Sequence, residues 1–98
     1  MLEKLTLEVG RKVEGKDAFG FGVRIDLGET GVIFIAGESS PIAVSNDAGT
    51  AATTFIMSAP DLGAMLAGDL SPMGAYTQGK MRVEGDIGKA MQIGSLFN

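Results

Sequence analysis

Residues Phe19–Leu27 read FGFGVRIDL, and the alternation in this stretch decides the fold. Phe19, Phe21, Val23, Ile25 and Leu27 fall on one side of an extended chain, and Gly20, Gly22, Arg24 and Asp26 on the other. Successive side chains of a strand point to opposite faces, so a strict period of two predicts a half-buried antiparallel strand. Glycines on its second face suit a place where another part of the chain packs closely.

Working outward, GETG (28–31) is a turn and VIFIA (32–36) a second strand, which makes the pair a hairpin. GESSP turns into a third strand at Pro41–Ser45, SNDAG turns again, and AATTFIM (51–57) is a fourth. On the N-terminal side Leu2, Leu5, Val9 and Val13 recur at helical spacing, which predicts a short amphipathic helix ending near Gly15.

Beyond Met57 the pattern changes period. SAPDLGAMLAG starts a helix with Ser58 as N-cap, Asp61 in its first turn, Pro60 where a missing N–H costs little, and Gly68 as the stop. SPMGAYT repeats the device with Ser71 as cap and Pro72 at the first helical position. Met81 and Val83 then alternate with Lys80, Arg82 and Glu84 as a fifth strand. DIGKAMQIGSLF opens with Asp86 as cap. Its Ile87, Ala90, Met91, Ile93, Gly94 and Phe97 form a broad apolar arc, with Gly88, Lys89, Gln92 and Ser95 facing out. The fold class is α+β: a five-stranded, mostly antiparallel sheet with helices gathered on one face.

Residues 74–81, GAYTQGKM, match the phosphate-binding pattern G-x-x-x-x-G-K-S/T at Gly74, Gly79 and Lys80, with Met81 in place of the hydroxyl residue. Such a loop must follow a strand and open a helix, because helix N-terminal N–H groups hold the phosphates. Here a helix precedes Gly79 and a strand follows it, so the match is accidental.

At 98 residues the chain has the length of one domain, 1–98. Its net charge of -4 disfavours nucleic acid as a partner. With no cysteine and no histidine, it lacks thiolate and imidazole nucleophiles, bases and metal ligands. Asp61 and Asp69 have capping and turn roles, and Lys80 and Arg82 alternate outward on a strand. The chain therefore reads as no enzyme, with no catalytic or metal-binding residue and no cofactor. The charged N-terminus is no signal peptide and no apolar run approaches the ~20 residues that span a bilayer, so a cytoplasmic location is expected. Six methionines suit an interior that adapts to ligands of varied shape.

Taken whole, YTQGKMRVEGDIGKAMQIGSL (76–96) resembles the C-terminal signature of the sterol carrier protein 2, or sterol-binding domain, family. The matching positions are Tyr76, Gly79, Lys80, Met81, Val83, Gly85, Asp86, Ile87, Ala90, Met91 and Ile93. Upstream, Ser58, Asp61, Leu62, Met65, Leu66, Gly68, Leu70 and Pro72 are similar to the family's preceding helical segment, and VRIDLGETGVIFIAG looks like its first hairpin. Departures are the acid-free Ala51-Ala52-Thr53-Thr54, the short N-terminal helical part, and a final SLFN with no peroxisomal S-K-L signal, which together look like a stand-alone bacterial member.

The resemblance implies an apolar tunnel between sheet and helices that binds and carries a fatty acid, acyl-CoA, sterol-like or similar lipid without catalysis. Its candidate lining comprises Met65, Met73, Met81 and Met91, the aromatic Phe34, Phe55, Tyr76 and Phe97, and Leu66, Leu70 and Ile93, with Gln78 near the mouth. Burying ~300 Å² of acyl chain at about 25 cal/mol per Å² contributes several kcal/mol before ordering costs. Two other readings use the same apolar surface: an accessory factor presenting a prenylated quinone precursor to partner enzymes, and a structural domain that buries its apolar face in a dimer. Expected partners are a lipid or fatty-acyl ligand, transient membrane contact, and at most a weak homodimer.

Overall fold

A computed structural model describes residues 1–47 and 49–97. Among these the chain forms helix α1 (Leu2–Val13), strands β1 (Gly22–Asp26), β2 (Val32–Ala36), β3 (Ala43–Ser45) and β4 (Thr53–Met57), helices α2 (Ala59–Leu66) and α3 (Pro72–Thr77), strand β5 (Met81–Gly85) and helix α4 (Ile87–Ile93). A short 3-10 turn at Gly28–Thr30 closes the first hairpin, and another at Gly94–Phe97 follows α4. The sequence-predicted elements are all present in order, with β1, β3 and β4 shorter at their N-terminal ends than the apolar patterns suggest. Phe19 and Phe21 lie outside β1 and pack edge to face, ring centres 4.8 Å apart.

The five strands form one sheet in the order β3-β2-β1-β4-β5. Pairing is antiparallel except between β1 and β4, which run parallel. Two hairpins carry β1, β2 and β3 outward as a meander, and β3 ends level with the last residues of β1. The chain then runs back along the length of β1, past Arg24 at Gly49 and Gly22 at Ala52, so that β4 starts beside the first residues of β1 and runs parallel to it.

That return segment covers the face of the sheet turned away from the helices. Arg24 Nη1 donates to the Gly49 carbonyl at 3.2 Å, and the Phe34 ring lies against Gly22 and Gly49. A Cβ on Gly22 would stand 2.7 Å from the Thr50 carbonyl oxygen and 2.9 Å from the Phe34 ring, so this glycine is needed for space. Gly22→Ala is expected to lower stability by about 1–3 kcal/mol, the usual cost of overpacking. A urea midpoint equal to that of the unchanged protein would refute this account of the outer face.

On the helix side, β1 and β2 present Val23, Ile25, Ile33 and Ile35, all at most 1% exposed. Leu5, Val9 and Val13 of α1 join them, as their helical spacing predicts. Asn46 ties α1 to the sheet: its amide donates to Thr6 Oγ1 and to the Val32 carbonyl, each at 2.9 Å. The α2 and α3 starts are capped as read from sequence. Asp61 N–H donates to Ser58 Oγ at 3.2 Å and Gly74 N–H to Ser71 Oγ at 2.9 Å. Gly79, at φ 74°, ends α3, with its N–H bonded to the Tyr76 carbonyl and that of Lys80 to Ala75. The G-K pair of GAYTQGKM thus terminates a helix, the reverse of a phosphate loop.

Candidate functional site

The site is built on β4 and β5 and roofed by the two short helices α3 and α4. Register brings Ile25 beside Phe55, Phe55 beside Val83, and Met57 beside Met81, so these side chains share the helix-facing side of the sheet. A helix of six or seven residues buries only one or two turns. α3 buries Ala75 alone, and α4 buries Ala90 and Ile93. Their remaining large apolar side chains stand in the open: Met73 is 59% exposed, Tyr76 49%, Ile87 53% and Met91 66%.

Between α3, β5 and α4 runs a groove of about 600 Å³. Its floor includes Phe55, Met81 and Val83, and its rim is formed by the four exposed side chains. Behind it, toward α2, lies a wholly apolar void of about 10 Å³ bounded by Ile25, Met57, Leu62, Met65 and Phe97. Phe55, Pro72, Met81 and Gly94 border both spaces and are the partition between them. The tunnel implied by resemblance therefore exists here as an open groove backed by a nearly filled interior. Phe97 and Met65 fill that interior, at 4% and 2% exposure. One of the partition side chains, Met81, is a methionine, which repacks at little cost, so the partition is soft.

Of the sequence-predicted lining, Phe55, Met73, Tyr76, Met81 and Met91 meet in the groove, and Met65 and Phe97 line the void behind it. Five residues lie elsewhere. Phe34 is on the opposite face of the sheet, because β2 turns Ile33 and Ile35 to the core and its alternate residues outward. Leu66 faces a second groove between α1 and α2, one position round the helix from Met65. Ile93 is core and Leu70 packs against it, neither lining the groove. Gln78 is exposed beyond the end of α3, likewise outside it. The groove also uses residues not assigned to a lining from sequence, among them Val83, Ile87, Ser71 and Ser95. Ile87 carried a usable signal, since it stands four residues before Met91 on one helix face.

Charge is kept to the back of α4. Lys89 N–H donates to Asp86 Oδ1 at 3.0 Å, and this backbone bond, aided by the nearby Lys89 ammonium, holds the Asp86 carboxyl below its usual range. The ammonium lies 3.6 Å from Asp86 and 5.5 Å above the Phe21 ring, away from the groove lining. Among the described residues there is no group of three or more His, Cys, Asp or Glu arranged to hold a metal ion, and no helix long and apolar enough to cross a membrane.

The sequence profile of the SCP-2 sterol transfer family matches residues 10–98. The chain belongs to that family. Sterol carrier protein 2 of Gallus gallus is 30% identical over 100 residues, covering 97% of this chain but 18% of its own length, so the present chain spans less than a fifth of that relative. Among solved structures, the sterol carrier protein 2 of Aedes aegypti in complex with the C16 fatty acid palmitate superposes with a TM-score of 0.71 at 16% identity, covering 97% of this chain and 92% of that one. A UbiJ-SCP2 ubiquinone synthesis protein gives 0.61 at 19% identity, covering 96% and 74%. At such identities these structures establish a shared SCP-2 fold. Most of the groove lining in this family member comes from the segment 76–96 that carries the signature, Tyr76, Met81, Ile87, Ala90 and Met91 among it, and Phe55 and residues 71–73 supply the rest.

Proposed function

We propose that this SCP-2 domain takes up one long-chain lipid along the groove between α3, β5 and α4 and holds or carries it without catalysing a reaction. The observation that supports this most is the row of exposed Met73, Tyr76, Ile87 and Met91 around an apolar floor. Large apolar side chains clustered at a concave surface mark a binding site, and the groove volume lies within the range of small-molecule pockets. The soft partition of Phe55 and Met81 lets a chain end reach toward the interior void. The polar side chains among the lining residues are those of Ser71, Tyr76 and Ser95, whose hydroxyls can orient a head group but supply neither a strong base nor a nucleophile with a base partner. The palmitate complex of the Aedes aegypti relative is consistent with a fatty-chain ligand on this fold. The reading takes residues 1–98 as a single carrier domain, acting in the cytoplasm and touching membranes transiently to load.

Native mass spectrometry of freshly purified protein, with organic extraction of what travels with it, tests the proposal. One lipid adduct per chain is the expected result, and its mass separates a fatty acid or acyl-CoA from a prenylated quinone precursor. A bare monomer that also leaves an added fluorescent fatty-chain probe unbound would defeat the proposal. A bare dimer would assign the exposed row to a subunit interface instead.

A further inference from the structure

We infer that the outer edge of β5 docks a second copy of this chain, the two β5 strands pairing antiparallel about Val83 so that one sheet runs through both chains. β5 is the last strand in the order β3-β2-β1-β4-β5, and one of its sides has no strand neighbour. Asp86 N–H donates to the Ala52 carbonyl, on the β4 side of the strand, at 2.9 Å. Alternation from that bond turns the N–H and C=O groups of Met81, Val83 and Gly85 away from β4. An outward row of this kind is a template for a further strand. The opposite edge is blunted, because β3 has three residues and closely follows Pro41. β5 runs five residues in unbroken register, without proline or bulge.

The charges of β5 complement themselves. Lys80 and Arg82 precede Val83, and Glu84 and Asp86 follow it. Antiparallel pairing centred on Val83 sets Arg82 opposite Glu84 of the second copy, with Lys80 and Asp86 opposite each other just outside the strands. Arg82 and Glu84 then form a non-hydrogen-bonded pair, the kind in which opposed side chains stand closest. Centring on Arg82 or on Glu84 sets that residue against its own like, and a parallel pairing in register does so for every charge. Within one chain Arg82 and Glu84 meet only at 3.9 Å, with side chains 71% and 66% exposed. A surface pair of this kind contributes little and is given up cheaply. Met81 and Val83 stay on the helix side in both copies, so the two grooves open side by side on one face of the joined sheet.

Sedimentation equilibrium over a range of protein concentrations is expected to show a mass rising from one chain toward two. Arg82→Glu sets acid against acid and Glu84→Arg base against base, twice in each dimer by symmetry. Each single reversal should weaken the dimer at least about tenfold. Mixing the two variants, or combining both changes in one chain, should restore it. Bulk repulsion between acidic chains predicts otherwise: it would weaken the dimer in Arg82→Glu and strengthen it in Glu84→Arg. Both residues are exposed, so the variants should keep the fold, which circular dichroism checks. A monomer at every concentration overturns the inference, as does a dimer that either single reversal leaves unchanged or strengthens. A fluorescent fatty-chain probe titrated into the monomeric variants reads the groove separately, so lipid uptake stands or falls without the dimer.

Discussion

Met91→Asp is expected to lower lipid affinity at least about tenfold while leaving the fold intact. Met91 is 66% exposed on α4, so its side chain makes little of its burial within the free protein. A ligand lying in the groove covers it. Burying a methionine side chain fully contributes about 1.5–3 kcal/mol, and the share returned here is on the order of 1–2 kcal/mol, worth roughly tenfold in affinity. The aspartate adds a desolvation cost on top. Stability should change by under about 1 kcal/mol, from the lower helix propensity of aspartate and an acid late in the helix. Met91→Leu restores the apolar surface and should restore binding. Probe titration and urea unfolding of the three proteins decide the matter. Unchanged affinity in a folded Met91→Asp protein would remove α4 from the site.

Met65→Asp has the opposite signature. Met65 is 2% exposed, on the inner face of α2, and borders the apolar void with Leu62, Phe97 and Met57. Truncating a buried methionine to alanine alone costs about 2–5 kcal/mol, and an unpaired carboxylate in the same place adds a desolvation penalty of its own. Domains of this kind have total stabilities of about 5–15 kcal/mol, so the variant is expected to be largely unfolded in the absence of denaturant. Met65→Leu keeps the volume and should cost less than about 1.5 kcal/mol. Circular dichroism with urea titration reads both. A well-folded Met65→Asp protein of near-normal midpoint would mean that the interior beside α2 is wet, against its wholly apolar lining. The two methionines look alike in sequence, and only their burial separates a binding variant from a folding variant.

Much of the architecture is legible because its causes are local. The alternation of Phe19–Leu27 depends only on the geometry of an extended chain, and Phe21, Val23, Ile25 and Leu27 are indeed buried. Ser58, Ser71 and Asp86 accept the N–H groups expected of N-caps, since a cap and its partner are three residues apart. Pro72 sits at the start of α3 for the same short-range reason. The broad apolar arc of α4 exceeds its buried face: Ala90 and Ile93 are buried and Ile87 and Met91 are left over.

Other features depend on which surfaces meet, and that is set by contacts far apart in the chain. Periodicity places Phe34 opposite Ile33 and Ile35, yet does not say which set faces the helices, because Gly49 and Thr50, ahead of β4, cover the outer face and give Phe34 partners of its own. Likewise Met65 and Leu66 are both buried, but one turns to the interior void and the other to the α1–α2 groove. The sequence by itself determined the elements, their caps, the family signature and the absence of histidine and cysteine chemistry. Only the tertiary structure decided the parallel β1–β4 pairing and the division of the apolar residues into core, void and groove. Local rules select backbone conformation within a few residues. Assigning a side chain to one wall of a site needs the distant walls to be in place.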